Sequence, residues 1–330
     1  RDLHYPLRRQ HQMCIRVRMK RIPTISLCLT SLTFVASLLA AEKPNILFIA
    51  IDDLKPTIGA YTNAVPTPAM DRIAGRGTTF LNAHCQQAVC GPSRASVMTG
   101  KYPDFTQIWD LKTKIRAIHP EIVTLTQHFK NNGYHTAGVG KIFDPRSVDK
   151  GADSRSWSEA YTQTWHLEYN ENTGKPIGHY HNSKSKTLAA EDKSASWNII
   201  NKKLFANNAW PAVEALDVPD DAYDDGAIGA HAVKSLAKLA KKKKPFFLAV
   251  GFKKPHLPFV APKQYWDLFD PKSIQLASYQ EAPLGAPTYA SHNSSELRSY
   301  NGIPASGPLD PSTQRSLIPV SYTHLRAHET

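Results

Sequence analysis

After Pro44 the chain runs Asn45-Ile46-Leu47-Phe48-Ile49-Ala50-Ile51 and then turns abruptly to two carboxylates, Asp52-Asp53. A second apolar run, Phe246-Phe247-Leu248-Ala249-Val250-Gly251-Phe252, follows Pro245 and gives way to Lys253-Lys254-Pro255-His256. Apolar runs without polar alternation are expected of parallel strands buried on both faces. Parallel strands need crossover connections, usually helical. The intervening sequence supplies candidates. Residues 67–74 form a capped helical pattern that stops at Gly75 or Gly77, and Leu125–Asn131 reads as a helix closed by Asn132-Gly133. A longer helix is expected to begin at Asp220-Asp221 and end in the lysines at 241–244, which suit a helix C-terminus. Residues 78–83 and 134–139 read as further strands. Alternation of this kind predicts an α/β fold, doubly wound, with a mainly parallel central sheet flanked by helices. Residues 145–220 are polar and weakly periodic, an irregular excursion expected to cover the site, and residues 258–319 are Pro-rich with few strong elements.

In such folds ligands bind beyond the carboxyl ends of the strands, and chemistry-bearing residues collect there. Asp52 and Asp53 follow the first strand, where both can meet one cation; a solvated pair or a helix cap is the competing reading. Lys141 follows the strand at 134–139, and His256 lies between Pro255 and Pro258 beyond the second apolar run. The segment Ala88-Val89-Cys90-Gly91-Pro92-Ser93-Arg94-Ala95-Ser96-Val97-Met98-Thr99-Gly100 reads as a short helix with proline in its first turn and glycine after its last. Cys90 is then expected just ahead of the helix N-terminus, where free N–H groups and the helix dipole favour an anion.

Charge and cysteine content narrow the function classes. Residues 1–18 carry five Arg against one Asp, and Lys20 and Arg21 add two cations, so the formal +12 falls to +6 for the remainder. That mild excess suits an anionic substrate, and no Arg–aromatic interleaving points to nucleic acid. Of the four cysteines, Cys14 and Cys28 precede the expected mature chain, and Cys85 with Cys90 is too few for a disulfide framework. Residues 1–18 and 319–330 resemble translated sequencing-library adaptors and are set aside as a non-native leader and tail, so the natural chain is expected to continue past Ile318-Pro319. Residues 19–41 have the basic start, apolar centre and small-residue end of a secretory signal peptide, which predicts a secreted or periplasmic protein without stable membrane insertion.

Cys90-Gly91-Pro92-Ser93-Arg94, continued by Met98-Thr99-Gly100-Lys101, resembles the signature of the type I, formylglycine-dependent sulfatases, which share an alkaline-phosphatase-like fold. The order Asp52-Asp53, Cys90 segment, Gly140-Lys141 and Lys254-Pro255-His256 agrees with that family. Asp52-Asp53-Leu54-Lys55-Pro56 and Gln86-Gln87-Ala88-Val89-Cys90 are most similar to the iduronate 2-sulfatases within it. The resemblance covers roughly residues 43–317 and makes residues 42–318 the N-terminal part of a catalytic domain. It implies that a formylglycine-generating or anaerobic sulfatase-maturating enzyme oxidises Cys90 to formylglycine, whose hydrate carries one hydroxyl to attack sulfur and a second to expel sulfate. It implies a calcium ion on Asp52, Asp53 and the modified Cys90. Arg94 would hold the formylglycine, and Lys141 and His256 would contact sulfate. The implied reaction is sulfate-ester hydrolysis on sulfated polysaccharides or oligosaccharides, a step in glycan degradation.

Two departures stand out. Iduronate-type enzymes carry His three residues after the Lys, and this chain has Asp144 there. The family also takes further calcium ligands from a later Asp–His or Asp–Asn pair, which His292-Asn293 does not match, so the 330-residue product is expected to be inactive by itself. The alternatives are a non-catalytic binder of sulfated glycans on the same scaffold and a phosphate or phosphonate ester hydrolase.

Overall fold

The computed structural model describes residues 43–62, 65–164, 167, 179–191, 196–290 and 292–319. The expected leader at 1–18 and signal peptide at 19–41, and all of the expected tail but residue 319, lie outside the described residues. In chain order the elements are β1 (Ile46–Ile51), α1 (Pro68–Ala74), α2 (Cys90–Thr99), the short α3 (Pro103–Thr106) and α4 (Ile115–Ile118), α5 (Leu125–Asn131) and β2 (His135–Gly140). They continue with α6 (Ser183–Ala190), α7 (Trp197–Ala206), β3 (Val213–Leu216), α8 (Asp224–Ala240), β4 (Phe246–Phe252), β5 (Phe259–Pro262), α9 (Lys263–Trp266) and α10 (Pro311–Leu317).

The two apolar runs pair directly. β4 lies between β1 and β2, parallel to both, with Val250 opposite Ile49 on one side and Val139 on the other. Asn45 Oδ1 accepts from the Phe246 amide at 3.1 Å, and the Pro245 carbonyl accepts from the His135 amide at 2.8 Å, so the three strands begin level. They also end level, which puts Asp52, Lys141 and Lys253 on one edge. Glycines allow the strands to close up there. Gly140 has φ 83°, and a Cβ on it would fall 2.1 Å from the Gly251 carbonyl oxygen, while the Lys141 amide donates to that same oxygen at 2.7 Å. Only residues without Cβ permit that approach.

One face of the sheet packs on α2 and α5. Phe247 sits under Phe129 with ring centroids 4.8 Å apart, within a cluster that includes Met98, Ala95 and Phe48. The other face carries Ala137, Val139, Phe246, Leu248 and Val250 against Ile228 and Leu239 of α8. Helices therefore cover both faces, as expected of the doubly wound arrangement. A separate two-stranded sheet, β3 beside β5, carries a third cluster around Trp210, Tyr180 and Tyr300.

Four sequence expectations are corrected. β1 is parallel but not fully buried: α8 covers β4 and β2, leaving Leu47 and Ile49 46% and 45% exposed. Residues 78–83 form no strand, since Phe80 and Leu81 are exposed and pair with no neighbouring strand. The helix expected from Asp220 starts instead at Asp224, after a 3-10 turn at Asp220–Ala222. The supposedly irregular stretch 145–220 contains α6, α7 and β3. Cys85 and Cys90 are both free thiols.

Candidate active site

The site is built on the carboxyl edge of the sheet. Asp52 is the first residue past β1, its amide still bonded to the Phe252 carbonyl. Asp53 turns with φ 54°, a left-handed backbone that Asp tolerates better than most side chains. The turn keeps both carboxylates at one end of the sheet, as expected.

α2 delivers the next residues. Extended Val89 precedes the helix, Cys90 is its first residue, and Gly100 closes it in the left-handed conformation with its amide bonded to the Ser96 carbonyl. One turn in, buried Arg94 reaches Asp52 Oδ1 through Nη2 at 2.7 Å and Nε at 3.1 Å. Its Nη1 donates to the backbone carbonyls of Lys141 and Ile142. Lys141 in turn donates to Asp52 Oδ2. Burial alone would raise the Asp52 carboxyl, but the charges of Arg94 and Lys141 outweigh it and hold the group below the usual carboxylate range. Arg94 is thus a strut between the ends of β1 and β2.

Asp53 lies in different surroundings. His256 Nδ1 is 3.5 Å from its Oδ2 and 3.6 Å from Glu296 Oε1. Burial and the neighbouring Asp52 raise the Asp53 carboxyl, and burial and Asp53 raise Glu296. Burial, then Lys141, lower His256 to about 4, so its imidazole is neutral at physiological pH. The loop carrying His256 is tied down from α8: Asp225 accepts from the amides of Lys253 and Lys254 at 2.8 Å each, and Asp224 Oδ2 takes Lys253 Nζ at 2.6 Å. Acidic side chains in a helix's first turn also suit its dipole.

Asp52, Asp53 and His256 each bring one ligand atom within 4.8 Å of the others. Two hard carboxylates, one raised by its neighbour, suit a hard divalent cation. The donor set fits calcium through the two aspartates. Imidazole is a poor calcium ligand, which leaves His256 for other work.

Cys90 sits on the opposite flank. Its Sγ donates to Asp144 Oδ2 at 3.2 Å and lies 3.6 Å from Arg146 Nη2. Burial and Asp144 push the thiol up, against Lys141. Burial would raise Asp144, but its bonds to Arg146 bring it down to about 2. A cavity of about 740 Å³ opens between the flanks, lined by Lys141, Asp144, Arg146, His256, Glu296 and Tyr300 among others. The predicted residues therefore gather at one end of the sheet. Sequence reasoning missed Arg146, Glu296, Asp224 and Asp225. The aspartate pair had a signal in its first-turn position, whereas Glu296 sits in a stretch with no periodicity.

Comparison with known proteins identifies the family. A family model described as Sulfatase matches residues 44–301. Human iduronate 2-sulfatase is 35% identical over 279 residues, covering 84% of this chain and 46% of that protein. A sulfatase of Formosa agariphila is 34% identical over 255 residues, covering 74% of this chain and 45% of its own. The chain spans about half the length of the curated relatives it matches. Among solved structures, a phosphonate monoester hydrolase from Silicibacter pomeroyi superposes with a TM-score of 0.56 at 19% identity, covering 87% of this chain and 57% of that one. That likeness concerns the fold. With the parallel sheet, the Cys90 helix and the aspartate pair in place, the chain belongs to the sulfatase family and has its alkaline-phosphatase-like fold.

Proposed function

We propose that this protein hydrolyses sulfate esters of sulfated glycans outside the cytoplasm, in the manner of an iduronate 2-sulfatase, once a maturation enzyme has converted Cys90 to formylglycine. The observation that carries this reading is the position of Cys90, first residue of a Pro92-Ser93-Arg94 helix whose arginine is bound into the Asp52–Lys141 cluster. The similarity to human iduronate 2-sulfatase supports the substrate class.

Formylglycine at position 90 would, as its hydrate, supply two hydroxyls on one carbon, one able to displace the alcohol from sulfur and one whose proton loss would re-form the aldehyde and expel sulfate. Calcium, held by Asp52 and Asp53, would supply positive charge for sulfate oxygens. The chain's own groups do the rest. Arg94 fixes the carboxylate of Asp52 so that the site needs no rearrangement as charge develops. Lys141 puts an ammonium on the cavity wall. His256, neutral and half-buried, is placed to hold or pass a proton at Nδ1, with Asp53 and Glu296 as its neighbours.

The test is coexpression with a maturation enzyme, followed by mass spectrometry of the Cys90 peptide and assays with an aryl sulfate and an aryl phosphonate monoester. Formylglycine at position 90 with preference for the sulfate ester is expected of a form long enough to complete the calcium site. An unmodified thiol, or preference for the phosphonate, overturns the reading.

A further inference from the structure

Asp144 stands where a cation would be expected beside a sulfate, and an anion there needs an explanation. Its side chain is 0% exposed and every oxygen is engaged. Oδ1 accepts from the Arg146 amide at 3.0 Å and from Arg146 Nε at 2.9 Å. Oδ2 accepts from Arg146 Nη2 at 2.8 Å and from Cys90 Sγ at 3.2 Å. The carboxylate is therefore neutralised and has no free edge to offer a substrate.

Arg146 differs on each count. Its side chain is 51% exposed and lines the same cavity as Lys141 and His256. The two-pronged grip of Asp144 on Nε and Nη2 fixes the plane of the guanidinium, the geometry in which arginine recognises tetrahedral and planar oxyanions. Nη2 already lies 3.6 Å from Cys90 Sγ, and Nη1 has no hydrogen-bond partner among the described residues. The other cations of the site are committed, apart from Lys202, which lines the cavity from α7 as an exposed side chain with no hydrogen bond to Cys90 among the described residues. Arg94 and Lys141 are both bound to Asp52, Lys253 to Asp224, and Lys254 to the carbonyls of His256 and Pro258. Glu296 faces the cavity from the Asp53 side and would oppose an anion there, which makes a cation on the Cys90 side more necessary.

We infer that Arg146 is the sulfate-facing cation on the Cys90 side of this site and that Asp144 is its positioning residue, an inference that rests on the sulfate-ester reading above. The positive charge is supplied from two residues further along the chain, on a side chain long enough to reach back, and the buried aspartate aims it.

Sulfate binding tests this on the unmodified chain, with no need for turnover. Titrated calorimetrically with sodium sulfate, Arg146→Gln should bind about ten- to a hundredfold more weakly than the parent, the range for losing charge-assisted hydrogen bonds. Arg146→Lys should recover part of the loss. Asp144→Asn should weaken binding in the parent but change nothing when added to Arg146→Gln, because its effect passes through the guanidinium. A purely structural Asp144 would cost the same in both backgrounds and overturn the positioning role. Parent-like sulfate affinity in Arg146→Gln overturns the inference and leaves the hydrolysis reading standing. Loss of binding in Arg146→Gln, together with a matured enzyme that ignores aryl sulfates, keeps Arg146 as an anion site and overturns hydrolysis. A parent that binds no sulfate overturns the inference, and the hydrolysis reading then stands or falls on the aryl-ester assays of the matured enzyme.

Discussion

β1 feeds two regions that differ in how fully their charges and apolar surfaces are covered. Its even-numbered residues Ile46, Phe48 and Ala50 pack into the cluster around Phe247 and Met98, and the series ends in Asp52, buried and held by Arg94 and Lys141. The odd-numbered residues Leu47 and Ile49 face an open flank, and the series ends in Asp53, with a side chain 52% exposed, facing His256 and Glu296. The period of two that separates strand faces ends with the strand, and the left-handed turn at Asp53 brings its carboxylate back beside that of Asp52. On the locked side Asp52 is already balanced by Arg94 and Lys141, and a cation shared with Asp53 would be met alongside those two groups. On the open side burial and Asp52 raise Asp53, and burial and Asp53 raise Glu296, so the carboxylates there have charge to offer a cation.

The largest expected effect comes from breaking the locked side. Arg94→Gln strips Asp52 of its principal partner and should cost about 3–5 kcal/mol, the range for orphaning a buried ion-pair partner. Denaturant unfolding measures it. A loss under about 1 kcal/mol would show that Lys141 alone satisfies Asp52 and that the strut is dispensable.

Asp224→Asn comes next, since it loosens the loop that carries His256. Losing a charge-assisted bond to Lys253 should cost about 1.5–3 kcal/mol at pH 7. Burial raises the Asp224 carboxyl, but Lys253 and His179 outweigh it, so its pKa is lowered in the folded protein. A depressed carboxylate stabilises the fold above its unfolded pKa near 3.9 and loses that contribution as pH falls below it. The gap between parent and Asp224→Asn should therefore be full at pH 6–7 and shrink below about pH 4. A gap that widens on acidification would contradict the ion pair.

On the open side the sign should reverse. Asp53→Asn removes a carboxylate that burial and Asp52 raise, so without divalent ions it should leave stability unchanged or raise it by less than about 1 kcal/mol. Added calcium should raise the melting temperature of the parent more than that of Asp53→Asn, because only the parent keeps both aspartates. Equal shifts in the two proteins would remove Asp53 from the cation site.

These contrasts also mark what the sequence could reveal. The α2 segment was legible because its proline, its glycine and the position of Cys90 all act within ten residues. The strands' shared carboxyl edge was legible because two apolar runs each end in charge. The runs themselves look alike, yet β4 is central and β1 has a bare flank. Composition does not record how many neighbours a strand has. Residues 78–83 carry Thr, Phe and Leu in a strand-like order but have nothing to pair with. Glu296 meets His256 across a Pro-rich loop, a contact that no local pattern encodes. Arg146 is illegible for a different reason: no local pattern marks a cation two residues beyond Asp144 as the one that folds back onto it.

The smallest effect tests the open flank itself. Ile49 and Val250 are register partners on β1 and β4 and face the same side of the sheet, but Val250 is buried and Ile49 is not. Threonine keeps the β-branched shape at either position, so the comparison isolates burial. Val250→Thr places a hydroxyl in an apolar contact with Ile228 and Leu239 and should cost about 1–3 kcal/mol. Ile49→Thr should fall within about 0.5 kcal/mol of the parent, as exposed substitutions do. If the two cost the same in the isolated chain, Ile49 is covered in solution and the flank is not open. A cost at Ile49 that appears only at high protein concentration would instead mean that a second copy covers it, and the contrast along β1 would then belong to an assembly.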